Sequence, residues 1–120
     1  MSNPKVVEYV DITIDNGQTS HSTPISTGLL SNGQYQLHGF EFPASMTSTA
    51  ATLTGARSAN GTYVTLREVG GASSYPLGVG SSVFVPVDPR VLATFPFIKL
   101  VLGTAESGAK TITAHLRRIE

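Results

Sequence analysis

The chain has 120 residues, 40% of them apolar, with 8 basic and 8 acidic side chains and no cysteine. That is the length of one domain, with apolar material for a single core. Zero net charge and a charged fraction of only 13% argue against long-range steering onto nucleic acid or an anionic membrane, and the missing cysteines exclude a disulfide frame and thiolate zinc sites.

Residues 1–5 are polar and include Pro4, and they read as an N-terminal arm ahead of a domain spanning 6–120. The start MSNPKVVEYVD lacks the apolar core of a signal peptide, and no run reaches the length of a membrane span, so folding in a cytosol is expected. From Val6 the pattern alternates, with Val10, Ile12 and Ile14 on one face and Asp11, Thr13 and Asp15 on the other. This is the signature of a half-buried strand. Asn16-Gly17 follows, a strong hairpin signal because both residues tolerate positive φ. Residues 20–27 are rich in hydroxyls and interrupted by Pro24, which cannot donate to a ladder, so an edge strand or irregular segment is expected.

Leu29 and Leu30 lead into a Ser31-Asn32-Gly33 turn. Residues 35–42 form a strand expected to place Tyr35, Leu37 and Gly39 on one face and His38, Phe40 and Phe42 on the other. Residues 44–52 run as a loop into a strand carrying Leu53; Asn60-Gly61 marks another turn, and residues 62–68 a short strand ended by Gly70-Gly71. Residues 75–77 and 82–87 read as short strands around Gly78 and Gly80. Asp88-Pro89 can cap a single helical turn over 89–94. Residues 95–118 read as a long hairpin, FPFIKLVLG and KTITAHLR joined by TAESGA, crossing the middle of the fold. About eight short strands and turns every ten residues or so amount to an all-β, single-domain β-sandwich or barrel. The first and last regular strands are expected to pair or to lie side by side centrally.

No catalytic, cofactor or metal constellation emerges from the spacing. His21, His38 and His115 fall in separate segments, none with a ligand partner at metal-site spacing. Asp11 and Asp15 share a strand face, which suits a solvated stripe better than a glycosidase pair or a calcium loop. No serine sits in a G-x-S-x-G elbow, and Gly70, Gly71, Gly78 and Gly80 precede no helix that would make a phosphate cradle. Arg57, Arg67, Lys99, Arg117 and Arg118 are too scattered for a nucleic-acid stripe. From the residues alone the serious rival reading is a glycan-binding module, with Tyr35, Tyr63 and Tyr75 as stacking platforms, although the chain has no tryptophan.

Three stretches in order carry a resemblance: S-x-N-G-T-Y-V-T-L over 58–66, V-x-V-D-P-R-V-L-A-T-F-P-F-I-K-L-V-L-G-T-A over 85–105, and K-T-I-T-A-H-L-R over 110–117. Together they resemble small virion proteins of tailed bacteriophages that act as capsid cement or decoration proteins. The likeness runs from Gly17 to Arg118 and rests on structural motifs: a D-P-x-x-L turn, an aromatic-rich strand ending in a Gly-Thr corner, and a final T-I-T-x-x-L-R strand. The aspartate-glycine turn common in such sequences is here Asn60-Gly61, with Tyr63 as its aromatic partner, and the turn physics is unchanged. The resemblance implies a jelly-roll-like sandwich on the capsid exterior, a homo-oligomer with a trimer favoured, the major capsid protein as partner, and no catalytic residue. A head-fibre base or a tail component is the alternative virion role. Residues 1–8 are expected to order only on contact with a partner.

Overall fold

The computed structural model describes residues 7–26, 35–67, 77–88 and 95–118. Their nine strands are β1 (Val7–Ile14), β2 (Ile25–Ser26), β3 (Tyr35–Glu41), β4 (Ala50–Ala56), β5 (Val64–Thr65), β6 (Leu77–Gly78), β7 (Phe84–Pro86), β8 (Phe97–Leu102) and β9 (Lys110–Arg118). They form two antiparallel sheets, one in the order β1-β9-β3-β7 and the other β2-β8-β4-β5 with β6 also on β4. The expected all-β single-domain sandwich is what the chain builds. The chain crosses between the sheets several times, with β1, β3, β7 and β9 in the first and β2, β4, β5, β6 and β8 in the second.

β1 and β9 pair along their length, Val7 with Arg117 through Ile14 with Lys110, as their matching alternation anticipates. Ile12 and Ile14 meet the same core as Ile112, Ala114 and Leu116. From the second sheet Ile98, Leu100 and Leu102 of β8 and Leu53 of β4 close it. Each fully buried Leu or Ile contributes about 1.5–3 kcal/mol, so these strands carry the fold.

Residues 95–118 are not a hairpin. β8 lies at the centre of the second sheet and β9 at the centre of the first, so residues 103–109 arch from one sheet to the other. Asn16-Gly17 likewise makes a tight turn, with Gly17 at φ 79°, but the chain passes to the other sheet, where Ser20 bridges Val101. Both corners use the residues a hairpin would use, because positive φ is needed in either case.

β3 departs from simple alternation too. The register against β9 slips between Leu37 and Gly39, leaving His38 as the extra residue of a bulge. The slip turns Tyr35, Leu37, Phe40 and Phe42 all inward, where strict alternation would have split them between two faces. Segment 20–26 is the edge expected, and Ser58 accepts the Gly61 N–H at the Asn60-Gly61 turn (3.0 Å). Val7 and Glu8 belong to the paired strand β1, so at these two positions the expectation that 1–8 order only on contact is corrected, while residues 1–6 lie outside the described residues. The arm over 1–5, the turn at 31–33, Gly70-Gly71, Tyr75 and the helical turn at 89–94 lie outside the described residues.

Candidate functional site

The outer face of the first sheet carries two cross-strand rows. One runs Tyr9–His115–Gly39–Pro86 and the next Asp11–Thr113–Glu41–Phe84, each crossing β1, β9, β3 and β7. Gly39 leaves a hole in the first row, and Phe84 leans into it from the second; a Cβ on Gly39 would stand 2.4 Å from the Phe84 ring and 2.8 Å from the Val85 carbonyl oxygen. The Phe84 ring then rests against His115, centroids 4.7 Å apart, while Tyr9 meets the other side of the imidazole edge-on at 4.9 Å. His115 Nε2–H donates to Glu41 Oε1 at 2.9 Å, and the Thr113 hydroxyl donates to Asp11 at 2.7 Å. The result is a ring–imidazole–ring stack flanked by two carboxylates on a firm sheet. Tyr9 is 63% exposed and Phe84 47%.

An aromatic stack held in fixed rotamers and left open to water is what protein contact sites use, because rings bring large area with little entropy to lose. The Glu41–His115 pair has the geometry of an oriented base, yet among the described residues no hydroxyl bonds the other ring nitrogen, and the Thr113 hydroxyl is turned to Asp11. Among the described residues no three His, Asp or Glu side chains gather as a metal site would need.

The other residues singled out from sequence are dispersed. His21 is buried: its Nδ1–H donates to the Thr23 carbonyl (2.7 Å) and its Nε2 accepts the Leu100 N–H (3.0 Å). The Ser20 hydroxyl donates to the Leu100 carbonyl (2.7 Å), so two side chains fill the gap that opens in the ladder between Ser20 and Ile25. Burial holds the His21 imidazole below its ordinary value of 6.5; Lys99 pushes the same way and the Thr23 carbonyl opposes both. His38 is the bulge residue. Tyr35 is buried in the core, so it cannot be a sugar platform. Tyr63 lies on the opposite sheet, its hydroxyl donating to the Ala59 carbonyl and its ring under the Lys99 ammonium at 4.7 Å. Arg117 is on the first sheet and Lys99 on the second, so the basic residues form no stripe. Gly78 lies in β6 and Gly80 under Val83, consistent with loop and strand duty.

Sequence reasoning did not single out Tyr9, Phe84 or Glu106. Tyr9 shares the solvent-facing parity of Asp11 and Thr13, and an aromatic on that stripe was the available signal. Glu106, 1% exposed, accepts the N–H of Thr47 (2.9 Å) and of Ser48 (2.8 Å) with its two carboxylate oxygens.

No protein-family model matches the chain, and no curated protein does. Among solved structures it is similar to the crystal structure of the SPBc2 prophage-derived protein YomS, at 11% identity and a TM-score of 0.48, over 97% of this chain and 98% of that one.

Proposed function

We propose that the protein is a non-enzymatic structural component of a bacteriophage particle, a cement or decoration protein that binds the major capsid protein on the outside of the head. It does so as a homo-oligomer, a trimer being favoured, with the outer face of the first sheet as its contact surface. One observation carries this reading: the Tyr9–His115–Phe84 stack is exposed yet already fixed by Gly39 and Glu41. Rings that pay no ordering entropy on docking make efficient anchors at the centre of a contact of about 1,600 Å². The sequence resemblance to phage cement proteins gives the partner. The low charge content suits packing against protein.

Particles of the parent phage, imaged by electron microscopy with wild-type protein and with a Tyr9→Ala/Phe84→Ala double variant, test it. Wild-type density on the head and its loss in a folded double variant are expected. Full occupancy by the variant overturns the assigned surface, and absence of the wild-type protein from heads overturns the role; density at a fibre base or on the tail moves it to the alternative virion role. A second reading, saccharide binding, is favoured by Asp11 and Glu41 standing beside the exposed Tyr9 and Phe84 rings as acceptors for sugar hydroxyls. Saturable glycan binding abolished by the same double variant would establish it.

A further inference from the structure

β1 is the outermost strand of the first sheet and, among the described residues, pairs with β9 alone. It is eight residues long, VEYVDITI, with no proline, no lysine and no register break. Of the devices that normally blunt an edge, β1 has neither proline nor a bulge, and its protection is limited to the acidic side chains of Glu8 and Asp11. The other edges described here are protected by brevity or by proline: β7 is three residues ending in Pro86, β2 is two residues after Pro24, and β5 is two residues.

Beside the β1 edge runs a groove of about 320 Å³, with residues 10–13 and 15 on one side and residues 21–24 on the other. The far wall is firm, because His21 is tied at both ring nitrogens to Thr23 and Leu100. Its lining mixes apolar Val10, Ile12 and Pro24 with the carboxylates of Asp11 and Asp15. Further along the same strand, Glu8 Oε2 is shielded from solvent with no hydrogen-bond partner.

We infer that the β1 edge and this groove form a strand-addition site for an extended peptide of a partner protein with alternating apolar and basic residues. The added backbone continues the first sheet past β1. Its apolar side chains turn toward Val10, Ile12 and Pro24, and its basic ones meet Asp11 and Asp15. A second copy of β1 is a poor occupant, because antiparallel pairing would bring the acidic groups of both strands together. The site shares Asp11 and strand β1 with the aromatic face, but strand addition uses the backbone edge of β1 and not the rings, so Asp15, which is not part of that face, tests it independently of any capsid contact.

Nuclear magnetic resonance with three synthetic peptides of about eight residues, roughly the length of the edge, tests the inference. One alternates lysine and valine, one alternates glutamate and valine, and one is the lysine peptide with proline replacing every second valine. At about 1 mM the lysine peptide is expected to shift the β1 amides and slow their hydrogen exchange, and the other two to do neither. Asp11→Lys/Asp15→Lys, and Asp15→Lys alone in case losing the Thr113 partner disturbs the fold, should weaken binding about tenfold or more. No protection by the lysine peptide, equal protection by the glutamate peptide, or binding unchanged in a folded charge-reversed variant each overturns the inference. So does concentration-dependent protection of β1 without any peptide, which would make a second copy the occupant.

Discussion

Glu106 offers the sharpest test of how the sandwich is closed. It sits in the arch between β8 and β9, where its backbone N–H donates to the Gln18 carbonyl (3.1 Å) and its carbonyl accepts the Gly17 N–H (2.8 Å). Its side chain reaches the loop between β3 and β4 and takes the N–H groups of Thr47 and Ser48. One residue thus ties three sheet-to-sheet crossings. Glu106→Ala keeps the backbone bonds but strips both loop donors of their acceptor. A buried N–H left unpaired costs about 1–3 kcal/mol. Ser48 N–H is buried and takes the full penalty; Thr47 is more exposed and can recruit water. Removing the buried carboxylate's own desolvation cost offsets about what Thr47 adds, leaving a loss of about 1–3 kcal/mol. Glu106→Gln retains one acceptor but aims an NH₂ at the second donor, so about 1–2 kcal/mol is expected. Urea unfolding followed by circular dichroism measures both. A Glu106→Ala midpoint corresponding to less than about 0.5 kcal/mol, at unchanged slope, would refute the reasoning.

Gly39→Ala should cost about 1–3 kcal/mol, since part of the collision is with the Val85 carbonyl and side-chain rotation cannot relieve it; ring-current shifts of the His115 protons should collapse as Phe84 is displaced, and a variant with wild-type shifts would contradict the packing described. His21 supplies a pH dependence. Its folded-state pKa lies below the unfolded 6.5, so the unfolded chain binds more protons and stability falls as pH drops below 6.5, levelling off once the folded imidazole also titrates. Comparing denaturation at pH 7.5 and pH 5 (about, bracketing the histidine range), wild-type should lose more than His21→Gln, whose amide oxygen can still accept the Leu100 N–H; equal losses would remove His21 as the cause.

The strands were legible where one face is buried and the other wet. β1 from Val10 to Ile14 and β9 from Thr111 to Arg117 show a period of two, and their pairing could be anticipated from it. The sheet to which each strand belongs was not legible. TAESGA and Asn-Gly have the composition of hairpin turns, and whether such a turn folds back on its own sheet or arches to the other is decided by long-range packing of Ile98, Leu100 and Leu102 against Ile112 and Leu116. The bulge at His38 was hidden for a related reason: an inserted residue shifts the alternation without leaving a local mark, and only the inward demand of Phe40 and Phe42 fixes its place. Glu106, inside TAESGA, gave no signal of its own because its partners, Thr47 and Ser48, lie far away in the chain. The aromatic stack was illegible as a unit, since Tyr9, Gly39, Phe84 and His115 come from four strands.

That stack also has an energetic oddity that bears on function. A glycine in a strand interior is unfavourable by about 0.5–1 kcal/mol relative to alanine, and an exposed aromatic leaves unrealised much of the 1.5–3 kcal/mol or so that burial would give. The chain accepts both at one spot, Gly39 under Phe84 and Tyr9 beside His115, while the opposite sheet keeps its comparable ring, Phe95 over Gly55, packed against the core. The two sheets thus treat a ring over a strand glycine differently: Phe95 packs against the core, while Phe84 stays exposed beside His115. Because little of Tyr9 is buried in the free protein, Tyr9→Ala should cost the fold far less than it costs any contact that covers the ring. Stability and binding are therefore separable at this face, and the separation is what distinguishes a docking surface from a poorly packed one.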